Sequence, residues 1–328
     1  MHATPAGTGE ALQGVPASRR IGPYVLITSL DDPRSGVPVP ERRYIARSAD
    51  GEHTVLLGAP LPGTDPQRFM AEAEVSRYLL SRFAAPAVTC ADPGESAWHA
   101  RPYVPALPLP TALAVHGGPL PERTVRALGA ALAEALSIVH GQGLTYAGVS
   151  PAAVLLAADG PRLTCYGAVR AAAPDGSARA GLPGLEPGSL PAEQASGGRP
   201  RPMGDVYALG ATLAYAATGY TTPERDELPS SLRTIVSRCL TRDPEARPQL
   251  AEVLDEFAPT SVAASSVSHR ADPAMAQEPT GTAFATRTAP LLGPGWLPSR
   301  VIAAVAHQSA AVLAAEIPHA TVPSSRQD

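Results

Sequence analysis

Two amino acids are missing from this chain altogether: its 328 residues include no lysine and no asparagine. All 26 residues in the Lys+Arg count are therefore arginine, set against 30 acidic residues for a formal net charge of −4. Any chemistry that takes an amine from lysine or an amide from asparagine is excluded. The lack of a basic excess argues against a nucleic-acid partner. It also gives no support for steering to an acidic membrane surface. Cysteine is scarce. Cys90, Cys165 and Cys239 are odd in number, far apart and without metal-ligand spacing, and read as reduced thiols of a cytoplasmic protein. No run of about 18 apolar residues occurs, so no transmembrane helix and no membrane insertion are expected. The opening MHATPAGTGEALQGVPASRR lacks the apolar stretch of a signal peptide.

What is present reads as one large domain with tails. Residues 1–20 are small and polar and read as a disordered arm. Strand-like runs follow at 24–27, 43–47 and 53–57, the last two joined by the turn signal Asp50-Gly51. The Pro-rich stretch DDPRSGVPVPER between the first two is a loop. Asp65-Pro66 opens a helix expected to run to about 82. Residues 102–110 are Pro-rich and expected to be extended. Pro121-Glu122 opens a long amphipathic helix whose stripe is Val125, Leu128, Leu132, Leu136 and Val139. A short hairpin around Asp159-Gly160, a long loop over 168–204, and helices near 205–218, 229–240 and 247–257 complete the domain. Composition shifts at Ala258, so 258–293 reads as a linker. An amphipathic helix returns over 294–317, before a tail at 318–328. Trp296, Val301, Ile302, Val305, Val312 and Leu313 are too apolar for an isolated helix in water, which predicts docking on a groove, in cis by preference.

Three strings then stand in order in the second half: Pro191-Ala192-Glu193, Asp205-Val206-Tyr207-Ala208-Leu209-Gly210, and Cys239-Leu240 followed by Asp243-Pro244-Glu245-Ala246-Arg247-Pro248. Together they resemble the protein kinases, most closely the actinobacterial Ser/Thr kinases of the eukaryotic type, over about residues 22–257. The resemblance implies an α+β, bilobal fold, with a small β-rich first lobe (21–101) and a hinge and mostly helical second lobe (102–257). It also implies structural roles for Glu193 and Arg247, an internal salt bridge, and for Asp205, a cap on backbone near the catalytic loop.

The family's catalytic positions are changed. Its strand lysine falls at Gly58, with Glu72 (or Glu74) as the carboxylate left without that cation. The catalytic loop lies against 146–156, where Gly148 stands for the base aspartate, Ser150 for the phosphate-side lysine and Ala153 for the metal-binding asparagine. The metal-binding D-F-G reads Cys165-Tyr166-Gly167. Leu56, Arg101, Tyr103, Val104 and Leu155 fall on a vestigial nucleotide pocket. Arg101 either turns to solvent or fills that pocket and pairs with Glu72. The expectation is a pseudokinase: not an enzyme, with no catalytic residue, no metal and no cofactor, acting as a regulatory or scaffold module for a protein partner. The alternative is an active Ser/Thr protein kinase of atypical mechanism using ATP and Mg, with Asp159 and Asp175 as the nearest candidate metal ligands in sequence.

Overall fold

The first lobe forms around one antiparallel sheet, because its β-branched and aromatic residues alternate between two faces. Its elements, in a computed structural model that describes residues 20–258 and 287–316, are β1 (Arg20–Ile21), β2 (Tyr24–Ser29), β3 (Glu41–Ser48), β4 (Thr54–Pro60), α1 (Pro66–Ser76), β5 (Thr89–Cys90) and β6 (His99–Pro102). The strand order is β1-β2-β3-β4-β6-β5. In register, Arg43 faces Gly58 and Ile45 faces Leu56, while Leu56 faces Arg101 and Gly58 faces His99. One face of the sheet buries Leu26, Ala46, Leu57 and Trp98. The other looks into the space between the lobes. Along β3 that second face carries Glu41, Arg43, Ile45 and Arg47 at a spacing of two.

Asp65 caps α1 through the amides of Gln67 and Arg68 at 2.9 and 3.4 Å. The helix stops at Ser76, six residues short of the expected end. Ser76 donates its hydroxyl to the Ala73 carbonyl and accepts the Ala87 amide, and the chain tightens into three-residue turns from Arg77 to Leu79.

The second lobe holds β7 (Ala106–Pro108), α2 (Leu109–His116), α3 (Glu122–Gly141), β8 (Val154–Ala157), β9 (Gly160–Leu163), α4 (Ala168–Ala172), α5 (Ala192–Ala195), α6 (Pro202–Thr218), α7 (Ser230–Cys239) and α8 (Leu250–Phe257). The stripe of α3 is wholly buried against α6 and α8. Three of these helices were not expected. α2 begins in the last two residues of the segment read as extended and runs on to His116, since Pro110 at its first turn costs nothing there and Ala and Leu carry the rest. α4 and the four-residue α5 lie in the segment read as loop.

The C-terminal segment packs on this lobe. Its helix, α9 (Ser299–Ala314), is shorter than the expected 294–317. The linker reading of 258–293 is corrected at its far end. Residues 287–293 are ordered, with a single tight turn at Ala289–Leu292. Thr288 is buried and donates to Glu134 at 2.8 Å, and Leu292 enters the main core. Trp296, Leu297, Val301 and Val305 follow it into that core. Ile302 and Leu313, which the stripe included, are exposed instead. The expected arm, most of the linker and the tail lie outside the described residues. Among the described residues no helix is long and apolar enough to cross a membrane.

Candidate active site between the lobes

The back of the cleft is built on Glu41, at the start of β3. Its carboxylate accepts from Arg101 Nη1 at 2.8 Å and lies 2.8 Å from His99 Nε2, and all three side chains are buried. Burial alone would oppose ionisation of Glu41, but Arg101 and His99 outweigh it and hold the carboxyl well below the usual range. Burial, followed by the charge of Arg101, lowers the His99 pKa, so the imidazole is neutral near pH 7 and donates its Nε2 proton to Glu41. Arg101 therefore does not turn to solvent. It fills the pocket as one of the two expectations had it, but its partner is Glu41, not Glu72. Glu72 on α1 receives two hydrogen bonds from Arg170 on α4, at 2.8 and 2.7 Å. The cation of that pair comes from the second lobe instead of from the sheet.

Two residues further along β3, the buried Arg43 spans the middle of the cleft. Its Nε donates to Asp31 at 2.9 Å, a second contact joins Nη2 to the same carboxylate, and Nη1 donates to Thr164 of the second lobe at 3.1 Å. The charge of Asp31 in the preceding loop is thus neutralised from within the fold. Beside Thr164, the Cys165 thiol lies 3.6 Å from Glu41. Burial and then the Glu41 charge push that thiol up to about 12, so it stays protonated and is not a nucleophile. Tyr166 packs edge-on to Tyr146 with Arg170 over its ring. The cavity left at the back of the cleft is about 20 Å³, lined by Glu41, Glu72, His99, Arg101, Cys165 and Tyr166 among others. That is room for a water or so, not for a nucleotide.

The changed positions are packed shut. A Cβ at Gly58 would sit 2.6 Å from His99 Nε2 and 2.8 Å from Glu41 Oε2, so any larger residue there collides with the buried cluster. A Cβ at Gly148 would overlap the carbonyl oxygen of Cys165, whose backbone is left-handed at φ 60. Ala153 is buried under Ser150, whose hydroxyl accepts the Ala153 amide at 3.3 Å. Leu56, Leu155, Tyr103 and Val104 belong to one apolar cluster with Leu30, Ile45 and Val312.

The second lobe's frame is arranged otherwise. Arg247, its side chain fully buried, donates to both oxygens of Glu193 at 2.6 and 3.1 Å and to the carbonyls of Thr241, Met203 and Arg242. Asp205 accepts the amides of Tyr146 and Ala147, each at 2.7 Å, and pairs with His140 at 2.8 Å. This holds the loop of Gly148 in place, including the left-handed Ala147.

The residues present do not fit a magnesium ion. Ala153 offers no ligand atom and Cys165 offers a protonated thiol. Asp159 is tied to Arg162 in the β8–β9 turn and Asp175 to Arg179 in the following loop, at 2.6 and 2.8 Å. Sequence reading missed Glu41, Arg43, Arg47 and His99 as cleft residues. The available signal was the period-two run Glu41-x-Arg43-x-Ile45-x-Arg47 on one strand face, which needs partners across the cleft.

This is the bilobal architecture of a protein kinase. The chain belongs to the protein kinase superfamily, and its relatives are actinobacterial Ser/Thr protein kinases. It is 32% identical over 262 residues to the probable serine/threonine-protein kinase PkwA of Thermomonospora curvata, covering 73% of this chain and 34% of that protein. It is 31% identical over 264 residues to the serine/threonine-protein kinase AfsK of Streptomyces coelicolor, covering 74% and 32%. The chain thus spans about a third of the length of these relatives. The kinase domain of Mycobacterium tuberculosis PknI shares the fold at a TM-score of 0.55 and 21% identity, over 74% of this chain and 99% of that one. No family model matches the chain. These relatives correct one expectation. They are named protein kinases, which points to an enzyme, so the reading of the chain as a non-enzyme does not stand.

Proposed function

We propose that this chain is a Ser/Thr protein kinase of atypical mechanism, an ATP-dependent phosphotransferase acting on a protein partner in the cytoplasm. The observation that carries this reading is the likeness to named kinases across 262 residues. The second-lobe frame supports it, since Asp205 keeps the catalytic-loop segment in position through the amides of Tyr146 and Ala147, while Glu193–Arg247 ties the rest of that lobe together. The changed cleft sets how the reaction has to run. Glycine at 58 and 148 supplies neither an amine for phosphate nor a carboxylate base. A general base is worth about 10²–10⁴-fold, so turnover should lie at least that far below a relative that keeps one. ATP is the phosphoryl donor, and residues 153 and 165 offer no ligand for a metal accompanying it.

The test is incubation of purified protein with labelled ATP, Mg²⁺ or Mn²⁺ and general protein acceptors. Slow incorporation that survives repurification and disappears on heat denaturation is the expected result. Incorporation no greater than that of the denatured control would overturn the reading.

One observation favours a second reading: the cleft is filled by Arg43, Glu41 and Arg101. On that reading the domain's main contribution is regulatory or scaffolding, through binding of a protein partner. It predicts that Arg43→Ala, which empties the middle of the cleft, leaves partner capture unchanged. Loss of capture in a folded variant would count against it.

A further inference from the structure

Among the described residues, the cleft has one occupant that comes from outside the kinase-like domain. Val312, in the last turn of α9, is buried in a single apolar cluster with Leu30 and Ile45 of the first lobe, Leu56 on β4, Ala106 beyond the hinge and Leu155 of the second lobe. Tyr103 and Val104 of the hinge close the same cluster. Val312 therefore sits where roof, floor and hinge of the cleft converge, on the positions read from sequence as the nucleotide pocket.

The two ends of α9 are held very differently. At its start, Trp296 is buried, its indole donates to the Ala158 carbonyl at 2.8 Å, and its own carbonyl accepts from Thr124 at 2.7 Å. Val301 and Val305 continue into the main core. The last turn is held to the first lobe by Val312 and by Arg47. The Arg47 guanidinium donates to the Ala315 carbonyl at 3.0 Å and to the Val312 carbonyl. Both carbonyls lie at the helix C-terminus, where a cation is favoured by the helix dipole, and that of Val312 also accepts the Ala315 amide. Arg47 is the outermost member of the β3 face whose inner members fill the rest of the cleft. Leu313, next to Val312, is exposed, so little else ties this turn down.

We propose that α9 is an intramolecular stopper of the interlobe cleft, anchored permanently at Trp296–Val305 and releasable at Ala311–Ala315. Its release would open the apolar mouth to a flat, purine-like ring. This rests on reading the cleft as that of a kinase, but not on the rate of phosphotransfer. Anchoring one end keeps the effective concentration of the stopper high, so a ligand must compete with it. The apparent affinity is then reduced by the fraction of time the mouth stands open.

The test uses the full-length chain and its Arg47→Ala and Val312→Asp variants, with Val312→Ala as the milder change should the aspartate variant fail to fold. Hydrogen exchange should rise at least about tenfold at residues 309–315 in the variants while residues 299–305 stay protected. Adenosine, which carries no phosphate and needs no metal, should bind the variants at least about tenfold more tightly than the wild type. Unchanged exchange at 309–315 would overturn the proposal. So would adenosine binding that is equal in, or absent from, wild type and variants alike. Phosphotransfer is assayed separately on the same samples, so a chain that gates adenosine without transferring phosphate would refute the proposed activity and leave the stopper standing.

Discussion

The second lobe and the cleft above it treat the same inheritance in opposite ways. In the second lobe the family's residues remain and still meet each other: Glu193 with Arg247, Asp205 with the amides of Tyr146 and Ala147. In the cleft the family's lysine, base and metal ligands are gone, Glu72 has changed partner, and the vacated volume has been rebuilt. Glu41, Arg101 and His99 occupy the back, Arg43 with Asp31 the middle and Val312 the mouth. Random loss would leave holes or buried charges without partners, either of which costs stability. Here the large residues that moved in are paired. The difference teaches that this cleft is under its own packing constraint and no longer under the family's.

The largest expected effect tests the back of the cleft. Glu41→Ala leaves the buried Arg101 without its carboxylate and should cost about 3–5 kcal/mol in urea melts. The double change Glu41→Leu with Arg101→Met should recover most of that loss, because a buried pair replaced by apolar groups is often neutral. A double variant no better than the single one would break the comparison, by making the charges themselves indispensable.

Arg247→Ala tests the other region. It strands several carbonyls and one carboxylate, and should cost about 3 kcal/mol, the low end of the range for a broken buried pair because Glu193 is partly exposed. A melting curve like that of the wild type would mean the second-lobe frame is not what holds that lobe.

Next comes restoration of what the family carries. Gly58→Lys drives a side chain into His99 and Glu41 and should lower stability by about 1–3 kcal/mol through overpacking. Gly148→Asp should do likewise against the Cys165 carbonyl. A Gly58→Lys protein as stable as the wild type would show that the back of the cleft is loosely filled.

The smallest effect is in pH. His99 is neutral in the fold because burial, followed by Arg101, lowers its pKa, whereas in the unfolded chain it takes up a proton below about pH 6.5. The unfolded state then binds more protons, so stability falls as pH drops below about 6.5. His99→Gln should flatten that limb of the pH–stability curve. Glu41 acts lower: its depressed pKa contributes stability above the ordinary carboxylate range, and that stability is lost on acidification through it. An unchanged slope between pH 6.5 and 5 in the variant would place His99 outside the charged cluster.

How much of this was legible in the sequence follows the same divide. The second-lobe motifs are short strings, and their partners follow from the family frame once three such strings stand in order. The long helix showed its stripe from Val125 to Val139, and the docking of the C-terminal segment was visible in Trp296, Val301 and Val305. The cleft was legible only as a set of vacancies at 58, 148, 153 and 165. What fills them depends on pairs far apart in sequence, such as Arg101 with Glu41 and Arg170 with Glu72, 60 and 98 residues apart. Arg101 was left between solvent and the pocket, and its pocket reading named the wrong carboxylate. Two glutamates were candidates for it in space, and only the register of β3 against β4 and β6 decides between them. The ordered stretch at 287–293 was hidden by its resemblance to the linker before it.

The central claim, that the cleft is sealed by the chain's own side chains, is tested most directly by the thiol of Cys165. It sits at the family's metal position, buried beside Glu41 and Thr164 with its proton held on. Alkylation of the native full-length protein, followed by peptide mass spectrometry, reports its rate against that of the partly exposed Cys90. The account predicts that Cys165 is modified no faster than the protein unfolds, with denaturant restoring full reaction. Modification of Cys165 in the native state at the rate of Cys90 or faster would mean that the cleft stands open, and would contradict it.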